Sequence, residues 1–187
     1  NADKPRTRDD VQPYVVFGRE QIQNSPALNL EDFFRARLPM NQANPGTQAA
    51  NGIAAVSSVD LRGLGSNQTL ILLDGRRLAA RGSSSGLTSQ AELNGIPLSM
   101  IERIEILPAT ASGIYGGSAT GGVINIITRK DFSGVEVAAT YGNTFDTDVA
   151  NRRLDVNGSF NLEGGKTMLT FNYSYSDANE LLVQDRS

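Results

Sequence analysis

IERIEILPATASGIYGGSATGGVINIITRK, residues 101–130, sets two strand-like runs on either side of a glycine cluster. In the first run Ile101, Arg103 and Glu105 alternate with Glu102, Ile104 and Ile106, the period of a half-buried β-strand. The second run, Val123, Ile124, Ile126 and Ile127, is β-branched and predicts another strand. The Gly, Ser, Ala and Thr residues between them are tight-turn formers. Backbone amides in such a turn can hold a phosphate at a helix N-terminus. A P-loop, however, needs Gly-Lys-Ser/Thr, and a dinucleotide fingerprint needs its glycines at fixed spacing before a crossover helix. Neither pattern occurs, and Gly121-Gly122 runs directly into a strand. The cluster therefore reads as a packing turn, in which small residues let backbones approach closely. Glu102 and Glu105 fall on opposite faces of the first strand and cannot converge as an acid/base pair. Arg103 and Glu105 share a face and suit a structural salt bridge.

Composition narrows the chemistry further. A chain of 187 residues suits one domain, or one domain with an appendage. Its formal charge of -3, from 17 basic and 20 acidic residues, gives no electrostatic case for nucleic acid. Cysteine and histidine are both absent. Disulfides, thiolate and imidazole metal sites, cysteine nucleophiles and Ser-His-Asp triads are thus excluded within this chain. No catalytic residue, metal ligand or cofactor is assigned, and an enzyme is the least favoured class. The first ten residues, NADKPRTRDD, form a polar segment without an apolar h-region. No apolar run approaches the ~20 residues of a membrane helix. The Asn1 start is expected to be that of a mature or trimmed chain.

Toward the N-terminus, Val11 to Phe17 (VQPYVVF) predicts a short strand stopped by Gly18, with Pro13 placing it at a sheet edge or a strand start. Asn24 or Ser25 is expected to cap a helix with Pro26 just inside it. Leu28, Leu30, Phe33, Phe34 and Leu38 recur at helical spacing until Pro39, a stripe that faces a core. Residues 41–51 form a polar loop. Ser57 to Arg62 reads as a strand, residues 63–67 as a turn, and Thr69 to Asp74 as a buried strand closed by Asp74-Gly75. Residues 79–92, dominated by Gly, Ser and Thr, read as a flexible loop, and Pro97 to Met100 as one helical turn.

Beyond Phe132 the alternation is cleaner. Val135, Val137, Ala139 and Tyr141 oppose Glu136, Ala138 and Thr140. Leu154, Val156, Phe160 and Leu162 oppose Arg153, Asp155, Asn157, Ser159 and Asn161, while Leu169, Phe171, Tyr173 and Tyr175 oppose Thr170, Asn172 and Ser174. Long strands with an aliphatic and aromatic face opposite a polar one suit a sandwich edge and, with a short turn at Glu163-Gly164-Gly165 and a longer loop at residues 143–148, suit better a transmembrane β-barrel, apolar toward lipid and polar toward the lumen. Three strands cannot close a barrel, which takes at least about 8. The chain is therefore expected to stop before its barrel does.

In order, Ser58 to Arg77 (SVDLRGLGSNQTLILLDGRR), Ile96-Pro97 and Ile101 to Thr128 resemble the plug domain of TonB-dependent outer-membrane receptors. The matching pieces are the run ending in Arg62-Gly63, the strand ending in Asp74-Gly75-Arg76, IERIEI at residues 101–106, the Tyr115-Gly116 step, and GGVINIIT at residues 121–128. The resemblance implies an α+β fold: a small mixed sheet with short helices, followed by the long antiparallel strands of an incomplete β-barrel. It divides the chain into a polar segment (1–10), a plug (11–130) and the first barrel strands (131–187). One departure lies at Pro108-Ala109-Thr110, where such plugs carry Arg-Gly-Pro, whose arginine helps latch plug to barrel. Only Arg62 matches a latch arginine. Val11 to Phe17 is assigned to the first plug strand, so the segment that pairs with TonB is expected outside this chain.

By this resemblance the chain occludes the lumen of an outer-membrane barrel. It helps bind and admit a scarce nutrient, an iron chelate, cobalamin or a carbohydrate, using energy from the TonB complex. Its partners are its own barrel, TonB in the periplasm, the small-molecule nutrient and the outer membrane, with no nucleic acid. The fragment by itself is expected to be soluble. Ligand contacts fall to three apical loops, residues 41–48, 64–68 and 81–90, and within them to Gln42, Asn44, Asn67, Gln68, Arg81, Ser83, Ser84 and Ser85. The alternative is a free-standing periplasmic or surface binding module, for which three long strands with an aromatic outer face have no use.

Overall fold

The structure is a computed structural model and describes residues 14–43, 57–79, 90–130, 132–142, 150–162 and 167–178. It is an α+β chain with two sheets. The first contains β1 (Val15–Gly18), β2 (Thr69–Leu73), β3 (Arg76–Arg77), β4 (Ile101–Leu107) and β5 (Gly122–Thr128) in the order β1-β4-β5-β2-β3. Strands β2 and β5 run parallel, and the other pairs are antiparallel. The second sheet is the antiparallel meander β6 (Gly134–Gly142), β7 (Asn151–Leu162) and β8 (Thr167–Ala178). Helices α1 (Arg19–Gln23), α2 (Leu30–Arg37) and α3 (Ser112–Tyr115) are short. Among the described residues no helix is long and apolar enough to cross a membrane.

The mixed sheet is covered on both faces, because its side chains alternate and both sets are apolar. Ile104 and Ile106 lie opposite Ile126 and Ile124, and Ile71 lies beside Ile124. This face packs with Ile22, Leu30, Phe33 and Phe34 from α1 and α2. Phe17 meets Phe33 edge-on at 5.3 Å. On the other face Leu70, Leu72, Leu107 and Val123 pack with Ala111 and Ala119 of the glycine-rich segment.

Four expectations are corrected. The helix cap is Asn29, whose side chain accepts from the Asp32 N–H at 2.9 Å, while Asn24 ends α1. Pro26 thus lies in the connector between α1 and α2, and the apolar stripe overruns the true helix start. Residues 57–62 are extended but form only a single bridge, Leu61 to Asn41, because side chains take over their pairing. Gln90 does most of this: its amide accepts from Val59 N–H at 2.8 Å and donates to the Val59 and Thr69 carbonyls. Gln90, Ala91 and Leu93 are buried, so the expected flexible loop ends earlier than residue 92. Finally, β4 is not half-buried. A bulge between Ile101 and Arg103 turns Ile101 into the same core as Ile104 and leaves Glu102 exposed. Glu105, 3% exposed, pairs with Arg103 at 2.8 Å, the salt bridge expected from their shared face.

Edge placement of β1 and the 3-10 turn at Leu98–Met100 agree with the sequence reading, although residues 11–13 lie outside the described residues. The Asp74-Gly75 turn has φ of 50° and 76°, both in the left-handed region that a two-residue hairpin requires. Asp74 also accepts from Thr128 N–H at 2.9 Å and from the Thr128 hydroxyl at 2.6 Å, a structural use of its carboxylate.

Candidate functional site

Polar side chains gather in two regions among the described residues: the turns at one end of the mixed sheet, and the seam between the two sheets. The turns gather where β2 and β5 begin and β4 ends. Gly121 and Gly122 bring them together. A Cβ on Gly121 would lie 3.0 Å from the Leu61 carbonyl, and one on Gly122, whose φ is 140°, 2.6 Å from the Leu107 carbonyl. The glycine cluster is the close-packing device expected from its residues, and Gly121 N–H donates to the Gln68 carbonyl at 2.8 Å.

Arg62 and Gly63 open the neighbouring turn with φ of 71° and 69°. The Asp60 carboxylate holds the turn by accepting from Gly65 N–H at 3.0 and 3.1 Å. Gln42 folds back across Gly63, where a Cβ would run into its Oε1, and the Asn67 side-chain oxygen lies beside Gly65. Gln42, Asn67, Gln68 and Arg62 are therefore brought to one turn, with Gln42, Arg62 and Asn67 exposed and Gln68 half-buried. Asn44, Arg81, Ser83, Ser84 and Ser85 lie outside the described residues. Gln90, at the end of the third expected loop, is a buried bracket. Arg62 donates to the Thr110 hydroxyl at 3.4 Å and makes no ion pair with a carboxylate among the described residues. A crevice of about 100 Å³ beside this turn is lined by Asn67, Thr69, Arg77, Gln90 and Ser118. Arg77, which donates to the Ser118 hydroxyl at 3.1 Å, was not singled out in the sequence: the pairing spans 41 residues and has no local signature.

The seam is formed by the polar face of β6–β8. Arg153, Asp155, Asn157 and Ser159 of β7 are all buried. Arg153 pairs with Asp155 at 2.9 Å and donates to the Ala27 carbonyl, Ser174 donates to Asp155 at 2.7 Å, and the Ser99 hydroxyl donates to Asn157 at 3.0 Å. Glu136 of β6 accepts from Arg19 and Arg129. The opposite face reverses the usual order. Val137, Tyr141, Phe160, Leu169, Phe171 and Tyr175 are between 42% and 67% exposed.

A small α+β domain seated on the polar face of an inside-out strand meander is a plug against a section of barrel wall. Residues 6–123 match the TonB-dependent Receptor Plug Domain family, and the chain belongs to it. Its structure is similar to that of the siderophore receptor PirA from Acinetobacter baumannii, with a TM-score of 0.63 and 26% identity over 87% of this chain and 24% of that one. It is likewise similar to PirA from Pseudomonas aeruginosa, with a TM-score of 0.59 and 25% identity over 89% of this chain and 28% of that one. The ferric citrate transporter FecA in its unliganded form shares the fold, with a TM-score of 0.62 and 18% identity over 90% of this chain and 26% of that one. The chain spans about a quarter of the length of these structures.

Proposed function

We propose that the chain is the plug and first wall strands of a TonB-dependent outer-membrane receptor. The plug occludes the lumen and contributes apical residues to the binding of an iron chelate, which is admitted with energy from TonB in the periplasm. The observation that carries this reading is the inverted amphipathicity of β6–β8: buried Arg, Asp, Asn and Ser against the plug, exposed aliphatic and aromatic residues on the far side. In water such a face costs roughly 25 cal/mol per Å² left unburied. In lipid that cost disappears. The twelve residues of β7, at ~3.3 Å each, reach roughly 40 Å, enough to cross the apolar layer when tilted by about 45°. The plug occupies residues 11–130 after a polar segment 1–10, and the wall strands residues 131–187.

An iron chelate is favoured over cobalamin or a carbohydrate because PirA is described as a siderophore receptor and FecA as a ferric citrate transporter. Gln42, Asn67 and Gln68 are assigned to ligand contact at the turn, as are Asn44, Arg81, Ser83, Ser84 and Ser85, which lie outside the described residues. Arg62 is assigned as the latch arginine that holds the plug to a barrel carboxylate. A free-standing binding module would leave the outer face of β6–β8 without a partner. The test is the double substitution Arg81→Ala with Ser84→Ala in the full-length receptor. Affinity for ferric siderophore falls at least about tenfold with folded yield unchanged, the loss of one charge-assisted and one neutral hydrogen bond. Unchanged affinity removes that loop from the site, and a full-length receptor that is soluble and monomeric without detergent removes the membrane reading.

A further inference from the structure

Glu136 is the one carboxylate on the inward face of β6, where its neighbours are Ala138 and Thr140. Both its oxygens are taken by arginines of the plug. Arg19 Nη2 lies 2.8 Å from Oε1 and 3.1 Å from Oε2, and Arg129 Nη1 donates to Oε2. The two arginines come from opposite ends of the plug: Arg19 opens α1 directly after β1, and Arg129 follows β5. The Arg129 guanidinium carbon also lies over the Phe132 ring, 4.2 Å from its centre. Neither arginine ion-pairs with another carboxylate among the described residues. The side chains are 26%, 35% and 13% exposed for Arg19, Glu136 and Arg129, so the cluster is partly shielded from solvent.

The position of the cluster gives it leverage. Strand β1 is an edge strand of four residues paired only with β4, and α1 has five residues, too short to hold itself. Without the Glu136 charge, Arg19 and Arg129 would face each other as like charges. We propose that Glu136 is the anchoring carboxylate of the wall: it clasps the β1–α1 corner to the foot of β6, and the N-terminal edge of the plug leaves the wall only when this clasp opens. The inference rests on reading β6 as a wall strand. It places a plug-to-wall tie at the end of the sheet away from Arg62.

Hydrogen exchange of the full-length receptor in detergent micelles tests it. In Glu136→Gln, amides of residues 15–23 exchange about tenfold faster, as expected for loss of charge-assisted bonds, while those at the centres of β4 and β5 keep the parent rate. Arg19→Gln, which removes only the Arg19–Glu136 pair, gives the same pattern, and the double variant exchanges no faster than Glu136→Gln alone, because that pair is already lost there. Should Glu136→Gln fail to assemble, Arg19→Gln carries the test, since it leaves the Glu136–Arg129 pair in place. Parent-like exchange over residues 15–23 in a detergent-dependent receptor, or strictly additive effects, overturns the clasp. Solubility without detergent counts instead against β6 as a wall strand.

Discussion

At the scale of single residues, the glycines of the 113–122 segment are not equivalent. Gly113 has open space where a Cβ would go, whereas at Gly122 the Cβ would lie 2.6 Å from one carbonyl and 2.8 Å from Leu61, on a backbone with φ of 140°. Gly122→Ala is therefore expected to lower stability by about 2–4 kcal/mol, combining left-handed strain and overpacking, while Gly113→Ala stays within about 0.5 kcal/mol. Thermal unfolding of the two variants side by side checks this, and equal melting shifts would remove the packing role. The sequence showed that small residues were needed here, but not which glycine bears the constraint. That depends on Leu61 and Leu107 arriving from other segments. Gln90 makes the same point in reverse: among Gly and Ser neighbours it reads as loop, and only its three bonds across 31 and 21 residues make it a bracket.

At the scale of elements, β6–β8 are legible because one rule acts along each strand. Side chains alternate, so a polar and an apolar set separate without reference to anything distant. Register then adds what alternation lacks. Val137 lies opposite Val156, Leu154 opposite Tyr175 and Phe160 opposite Leu169, forming a continuous apolar band. Phe171 lies opposite Gly158 and covers it, stacking on Phe160 with ring centres 6.2 Å apart. Adjacent positions on β6 give a direct test of the outer face. Val137→Lys in the full-length receptor is expected to cost about 2–4 kcal/mol toward lipid, and Ala138→Lys, on the inward face, less than about 1 kcal/mol. Folded yield after reconstitution into lipid vesicles reads the difference, and equal losses at both positions would withdraw the lipid-facing assignment. The helix boundary at Asn29 was less legible. Asn24, Ser25 and Asn29 are all good caps, and the choice falls to whichever start aims Phe33 and Phe34 at the sheet.

At the scale of the whole molecule, the buried residues of both apolar clusters lie within residues 22–126, with Tyr14, Val15 and Phe17 packed against them, and none comes from β6–β8. What crosses the seam is polar: Arg153 to the Ala27 carbonyl, Ser99 to Asn157, and the Glu136 clasp. A chain ended after Lys130 is therefore expected to remain folded and to become monodisperse. It loses the unpaired strand edge of β8 and the exposed apolar band, both routes to association. Circular dichroism with sedimentation velocity would show this, and a trimmed chain that unfolds would place the wall strands within the same core.

The sequence by itself determined what local rules can carry: two strand runs around a packing turn, the Asp74-Gly75 turn, the family resemblance, and the two-faced strands after residue 132. Tertiary structure alone decided which polar atoms meet. Arg19 finds Glu136 across 117 residues, and packing on both faces of the sheet buries a strand that alternation made half-exposed. Periodicity is set by each chain segment's own backbone geometry, whereas long-range pairing follows from strand order and register, which exist only once the sheets have formed.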